Sequence, residues 1–370
     1  MDSQYGFTSV EERLCIKASY ARIPLTVAFE LTPLCNMNCE MCYIRLGREE
    51  QEREHRLRTV EEWLELAARL KEAGTLFILL TGGEPMLYPG FSKLYQELQK
   101  MGFILTINTN GTMCTEEIAD ILAAELPRRV NVTLYGASNE TYARVTGNPR
   151  GYDQAMRGLN LLKERNIPVK LNCSMIRENM ADTPKILDIS EKLEFPLEYN
   201  TYMFPCSRHP RQAFPEAVRV TPEEAAKWEV YIKKRQKKET YNQVREKVLR
   251  DYRLADEEEP MDEAMRCRAG KSSCWIDWKG RMTPCVFLEE PAVDVFSHTV
   301  EEAWSVIGQG CDGTCLPREC TNCRHRSNCN ICAAAARWES GSTQKKPEYL
   351  CKYMDKVVEI LQAEESDGRE

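Results

Sequence analysis

The sequence predicts an α/β protein: a parallel sheet built from six strand–helix units, followed by a small cysteine-rich module. Three observations predict it. Apolar, β-branched runs of strand length alternate with stretches of helical period as far as residue 203. Several of the helical stretches carry their own start and stop signals. From Cys267 onward the composition shifts to cysteine, glycine and turn residues. Repeated strand–helix units argue for parallel strands joined by right-handed crossovers. Six units do not close an eight-unit barrel, and the periodicity alone suits an open barrel and a flat doubly wound sheet equally.

The elements follow in order. IPLTVAFEL (23–31) reads as a buried strand after an N-terminal segment, residues 1–22. In 59–74, Val60, Trp63, Leu64, Ala67 and Leu70 recur at helical spacing, Thr59 and Glu62 form a capping box, and Gly74 ends the helix. Strands are expected at 76–81, 103–109, 130–136, 169–176 and 197–203, with helices at 91–102, 115–126, 151–166 and 184–193 between them. The first unit of the fold is thus 23–220. A polar helix is expected over 221–252, started by Thr221, Pro222 and Glu224, within a helical linker, 221–266, that ends in the acidic 255–263 stretch. Its lysines and arginines read as a solvated face. Residues 267–355 form the cysteine-rich domain, and 356–370 a tail whose last residues, EESDGRE, are expected to be disordered.

The chain has 370 residues with 50 basic and 57 acidic side chains, a net charge of −7 that favours neither nucleic acid nor an anionic membrane surface. No apolar run approaches the roughly 18 residues of a membrane span, and the N-terminus lacks a secretory pattern. A cytoplasmic location is expected. The 17 cysteines are an odd number, so disulfides within the chain cannot pair all of them. In a reducing compartment their spacing points to metal or catalysis. Cys15, Cys114, Cys173 and Cys206 are scattered and read as small packing residues.

Cys35, Cys39 and Cys42 lie on one loop directly after the first strand, separated by three and two residues. Three thiolates can hold three irons of a [4Fe–4S] cube. The missing fourth ligand leaves an open position, whereas a structural zinc site is normally closed by four protein ligands. His55 is the only nearby histidine, and it sits in a charged stretch. This loop resembles the signature of the radical SAM superfamily, including an aromatic residue, Tyr43, after the last cysteine. The next strand ends in TGGEP (81–85), which resembles the family as well. The resemblance implies a partial (β/α)6 barrel and an oxygen-sensitive [4Fe–4S] cluster whose open iron binds S-adenosylmethionine (SAM). It implies that Gly82, Gly83 and Glu84 meet the methionine amino group and that Met41 packs on the adenine. Asn110 and Thr133, at later strand ends where ligands of parallel sheets bind, are further candidate SAM contacts, with a glycine turn as the other reading. Arg144 is a candidate for the SAM carboxylate. Tyr135-Gly136 stands where many relatives carry Asp-Gly.

The C-terminal cysteines are Cys267, Cys274 and Cys285, then Cys320, Cys323, Cys329, Cys332 and Cys351. Eight thiolates fit two four-thiolate sites, clusters or zinc. Twelve residues separate Cys267 from Gly280 and four separate Gly280 from Cys285. This pattern resembles the SPASM domain, except that two residues rather than three separate Cys329 from Cys332. The resemblance implies two auxiliary [4Fe–4S] clusters, one on Cys267, Cys274, Cys285 and Cys332, the other on Cys320, Cys323, Cys329 and Cys351. Cys311 and Cys315 are extra and unassigned.

The resemblance implies that reductive cleavage of SAM generates a 5′-deoxyadenosyl radical that abstracts hydrogen from a peptide. The expected function is maturation of a ribosomally made peptide by a thioether, C–C or C–O crosslink or by epimerisation. The electron donor would be of flavodoxin or ferredoxin type. The short segment before the first strand is too small for a leader-binding domain, so a separate leader-recognition protein is a possible partner. The other readings are a protein maturase of the sulfatase type, forming formylglycine, and a non-catalytic iron–sulfur electron carrier.

Overall fold

The computed structural model describes residues 9–206, 208 and 216–367. A capped helix α1 (Val10–Ala21) precedes strand β1 (Thr26–Glu30), and α2 (Arg48–Glu54) and α3 (Val60–Glu72) lead to β2 (Phe77–Thr81). There follow α4 (Phe91–Lys100), β3 (Ile104–Thr109), α5 (Glu116–Ala124), β4 (Arg129–Thr133), α6 (Asn139–Thr146), α7 (Gly151–Glu164), β5 (Val169–Ser174), α8 (Thr183–Leu193) and β6 (Leu197–Asn200). Helices α9 (Pro222–Gln236) and α10 (Tyr241–Leu254) come next, then β7 (Ser273–Ile276), β8 (Arg281–Thr283) and β9 (Val293–Asp294). Helices α11 (Val300–Asp312), α12 (Ala333–Ser340) and α13 (Glu348–Asp367) complete the described chain.

The six expected strands are present and parallel, in the order β6-β5-β4-β3-β2-β1, so the fold is the expected α/β array of six strand–helix units. The helices cover it through apolar stripes. On α3, Thr59 accepts a hydrogen bond from the Glu62 amide and Glu62 accepts one from Thr59, so the capping box is formed. Trp63 of this helix is fully buried and packs on Phe29 of β1 at 4.7 Å between ring centroids. Because side chains alternate along a strand, Val27 and Phe29 face the helices while Ala28 and Glu30 face the opposite side.

The sheet does not stop at β1. Strand β7 pairs with it in parallel, Thr26 opposite Ser273 and Phe29 opposite Ile276, and β8 and β9 extend the sheet antiparallel. The backbone groups on the edge of β1 are satisfied by the cysteine-rich region, which grows out of the same sheet.

Elsewhere the structure differs from the expectation. The helix expected over 221–252 is two, interrupted by turns at 237–240, where the charged run offers nothing to bury. The tail is helical as far as Asp367, the end of α13. Glu364 accepts a hydrogen bond from Tyr241 at 2.7 Å and pairs with Lys234 at 2.6 Å, and Arg253 pairs with Glu365, which holds the polar end of α13 against α9 and α10. Residues 368–370 of the expected tail lie outside the described residues. No helix among the described residues is long and apolar enough to cross a membrane.

Candidate metal centre

Strand β1 leads directly into the cysteine loop, and the end of β2 is hydrogen-bonded to the entry of that loop. Leu31 N–H donates to the Thr81 carbonyl, Gly83 N–H to Thr32 (2.7 Å) and Glu84 N–H to Leu34 (2.9 Å). This close approach accounts for the paired glycines. A Cβ on Gly82, where φ is +152°, would lie 2.5 Å from the Thr32 oxygen, and one on Gly83 would lie 2.4 Å from the Leu34 oxygen. The Glu84 carboxylate is fully buried, and both of its oxygens are engaged by the protein itself. It accepts from Thr109 Oγ1 (2.8 and 2.9 Å), the Asn110 amide (2.8 Å) and the Met86 amide (3.1 Å). Burial pushes its carboxyl up to about 7 despite these bonds. Glu84 thereby ties the end of β2 to the end of β3 beneath the loop.

The three thiols lie within electrostatic range of one another, Cys39 with both Cys35 and Cys42. Burial is the largest influence on each and disfavours the thiolate, lifting Cys35 to about 12. Bound metal would supply the positive charge that keeps them ionised. Hydrogen-bond donors already point at the sulfurs: the Arg45 amide at Cys42 (3.3 Å) and Asn110 Nδ2 at Cys35 (3.7 Å). Asn110 Nδ2 also reaches Asn36 Oδ1 at 2.9 Å. Among the described residues no three cysteine, histidine or acidic groups converge tightly enough for a single metal ion. Three cysteines on one loop with amide donors aimed at two of the sulfurs suit the ligand set of an iron–sulfur cluster.

The other predicted site residues are distributed unevenly. Met41 packs against the buried cluster of Val145, Ile176 and Val218, as Tyr135 and Met203 do. Tyr43 meets Phe287 of the cysteine-rich region edge-on at 4.9 Å. Thr133 is half-buried at the end of β4. Arg144 forms an exposed pair with Glu140 one helical turn away, at 2.7 Å.

Sequence reasoning missed one group. Glu30, the last residue of β1, is fully buried on the face away from α3. Arg208 donates to its Oε2 at 2.5 Å and Trp275 Nε1 at 2.7 Å, while its Oε1 has no partner. Asp277 lies 3.9 Å and Glu289 3.4 Å from the same arginine. Burial pushes the Glu30 carboxyl up against the pull of Arg208, and Cys42 feels its charge. A carboxylate closing an otherwise apolar strand, TVAFE, was the available signal.

Residues 29–189 match the radical SAM superfamily. They are a radical SAM domain. Over 342 residues, 88% of this chain and 96% of the relative, the sequence is 24% identical to the AdoMet-dependent heme synthase of Methanosarcina barkeri. The structure resembles Streptococcus suis SuiB bound to its precursor peptide SuiA, with a TM-score of 0.68 and 16% identity over 92% of this chain and 80% of that one. It resembles anSMEcpe with bound AdoMet, with a TM-score of 0.70 and 16% identity over 92% and 98%. The fold these two SPASM-type proteins share therefore runs through the radical SAM domain and the cysteine-rich region beyond it.

Beyond the radical SAM domain the cysteines gather in two groups. Cys320, Cys323, Cys329 and Cys351 act on one another electrostatically. Cys267, Cys285 and Cys332 form the second group. Cys274 joins neither; burial alone acts on its thiol. A cavity of about 430 Å³ opens beside the start of β1, lined by Pro24, Trp304 and Asp312, and none of the motif residues lines it.

Proposed function

We propose that this protein is a radical SAM enzyme that abstracts hydrogen from a peptide and so matures a ribosomally made precursor. When bound, a [4Fe–4S] cluster and SAM supply the electron and the hydrogen-abstracting radical. Cys35, Cys39 and Cys42 hold the cluster. Gly82 and Gly83 let the end of β2 seat the loop, Glu84 and Asn110 brace it, and Met41 offers an apolar surface to the adenine. The two C-terminal cysteine groups would hold two further clusters, whose chemistry would be electron transfer.

The observation that carries the peptide reading is the likeness of the structure, over 92% of this chain, to SuiB bound to its precursor peptide. The end-to-end likeness to a heme synthase favours a second reading, a reaction on a tetrapyrrole.

The test is anaerobic turnover of the reconstituted protein with SAM and dithionite, given either a small peptide encoded beside it or iron-porphyrin carboxylates. The peptide reading expects 5′-deoxyadenosine together with a peptide mass lower by two hydrogens or, for epimerisation, an unchanged mass in ordinary water and incorporation of solvent deuterium when turnover is run in deuterated water. Conversion of the porphyrin with no change in the peptide would establish the second reading instead. A full cluster load without 5′-deoxyadenosine would remove the radical assignment altogether.

A further inference from the structure

The pattern of eight C-terminal cysteines pairs Cys274 with Cys267, Cys285 and Cys332, but the structure places another thiol beside them. We infer that Cys311 completes the thiol set of the first auxiliary cluster with Cys267, Cys285 and Cys332, and that Cys274 is a packing residue. This rests on the reading that the C-terminal cysteines hold clusters.

Cys274 is in the middle of β7, in register with Val27 of β1. Neighbours in register on parallel strands point to the same side of the sheet. Cys274 therefore faces the helix layer with Val27, while the next residue, Trp275, reaches Glu30 on the other face. Both Cys274 and Cys311 are buried in the same apolar core, so it is the register with Val27, not burial, that sets Cys274 apart. Turning it toward another cysteine would shift the strand register and carry Trp275 away from Glu30.

Cys311 is the penultimate residue of α11 and is 2% exposed. Its side chain presses on the turn that carries Cys267: a Cβ on Gly270 would lie 2.4 Å from Cys311 Sγ, and Gly270 holds φ at +68°. One residue earlier, Gly310 packs on Pro291 of the loop that follows Cys285; a Cβ there would come within 2.5 Å of Pro291 Cγ. The end of α11 is thus wedged between the two segments that supply Cys267 and Cys285. The thiols of both lie within electrostatic range of Cys311, as they do of Cys332. Cys332 is the stronger influence on both Cys267 and Cys285, and Cys311 approaches them from the α11 side through the Gly270 turn. Cys206 also senses Cys285, but Cys267 is not among the charges that act on it most.

The experiment uses the full chain with Cys35, Cys39 and Cys42 replaced by alanine, so that only auxiliary clusters load. After anaerobic reconstitution this parent should hold about eight irons, two four-iron clusters. Adding Cys311→Ala should remove about half of that iron or convert one cluster to a three-iron form with its own electron paramagnetic resonance signal. Cys274→Ala and Cys206→Ala should leave iron and spectrum as in the parent. Cys311→Ser, which keeps the volume at the Gly270 contact, should alter the reduced-state spectrum even if iron is retained. Full iron and an unchanged spectrum in both Cys311 variants would overturn the proposal, as would iron loss in Cys274→Ala alone. A parent that binds no iron would instead overturn the auxiliary-cluster reading on which it stands.

Discussion

Replacing Gly83 with alanine tests whether the paired glycines serve the backbone of the cysteine loop or a bound ligand. The new Cβ would sit 2.4 Å from the Leu34 oxygen, 2.7 Å from the Leu34 carbon and 2.8 Å from the Pro33 oxygen, where ordinary contact begins near 3.4 Å. These are backbone atoms, so no side chain can swing away. Relief requires the two segments to part, which strains the Gly83–Thr32 and Glu84–Leu34 hydrogen bonds. Overpacking of this kind costs about 1–3 kcal/mol, and weakening two backbone hydrogen bonds adds about 1 kcal/mol each. A loss of roughly 3–5 kcal/mol is expected, large against the roughly 5–15 kcal/mol typical of a domain. Urea denaturation of the cluster-free protein measures it. Iron analysis should also show the radical cluster depleted and the auxiliary iron retained. Gly102→Ala is the control: φ there is +85° with nothing within 4 Å of the added carbon, so only backbone strain of about 1–2 kcal/mol applies. A Gly83→Ala protein with wild-type stability and full iron, but unable to bind SAM, would refute the backbone argument and assign the glycine to the ligand.

Other predictions follow from the same geometry. Replacing Cys35, Cys39 and Cys42 together should abolish 5′-deoxyadenosine formation while leaving about two clusters' iron; unchanged cleavage would rule out this loop. Glu84 has a folded-state value of about 7, above its ordinary 4.5. Between those values the native state holds a proton that the unfolded chain has released, so stability falls as pH rises through this window and is level above it. The full change is roughly 3 kcal/mol at about 1.4 kcal/mol per tenfold. Urea midpoints of the cluster-free protein should show this slope, and Glu84→Gln should lack it; equal slopes in the two proteins would refute the assignment. Arg219 and Glu339 form a buried ion pair whose side chains are 6% and 8% exposed, with Arg219 3.4 Å over the Tyr349 ring. Arg219→Ala leaves Glu339 with Tyr202 at 3.0 Å and should cost roughly 3–5 kcal/mol. In a thermal melt, replacing both partners with apolar residues should recover most of that loss.

By itself the sequence determined the strand–helix alternation, the capping box at Thr59 and Glu62, and the cysteine loop after β1. Each is a local pattern: period, cap chemistry and thiol spacing act over a few residues and are written in order along the chain. The spacing of the C-terminal cysteines was legible for the same reason and made them candidate metal ligands, but their grouping was not legible. Cys311 reaches the Gly270 turn, 41 positions back along the chain, because α11 packs on it; Cys274 is turned away by its register with Val27. Glu30 meets Arg208 and Trp275, both far along the chain, only because β7 docks on the edge of β1. The engagement of Glu84 within the protein depends likewise on β3 lying beside β2. Which side chains share one buried space is set by register and packing between distant segments, and only the tertiary structure decided it.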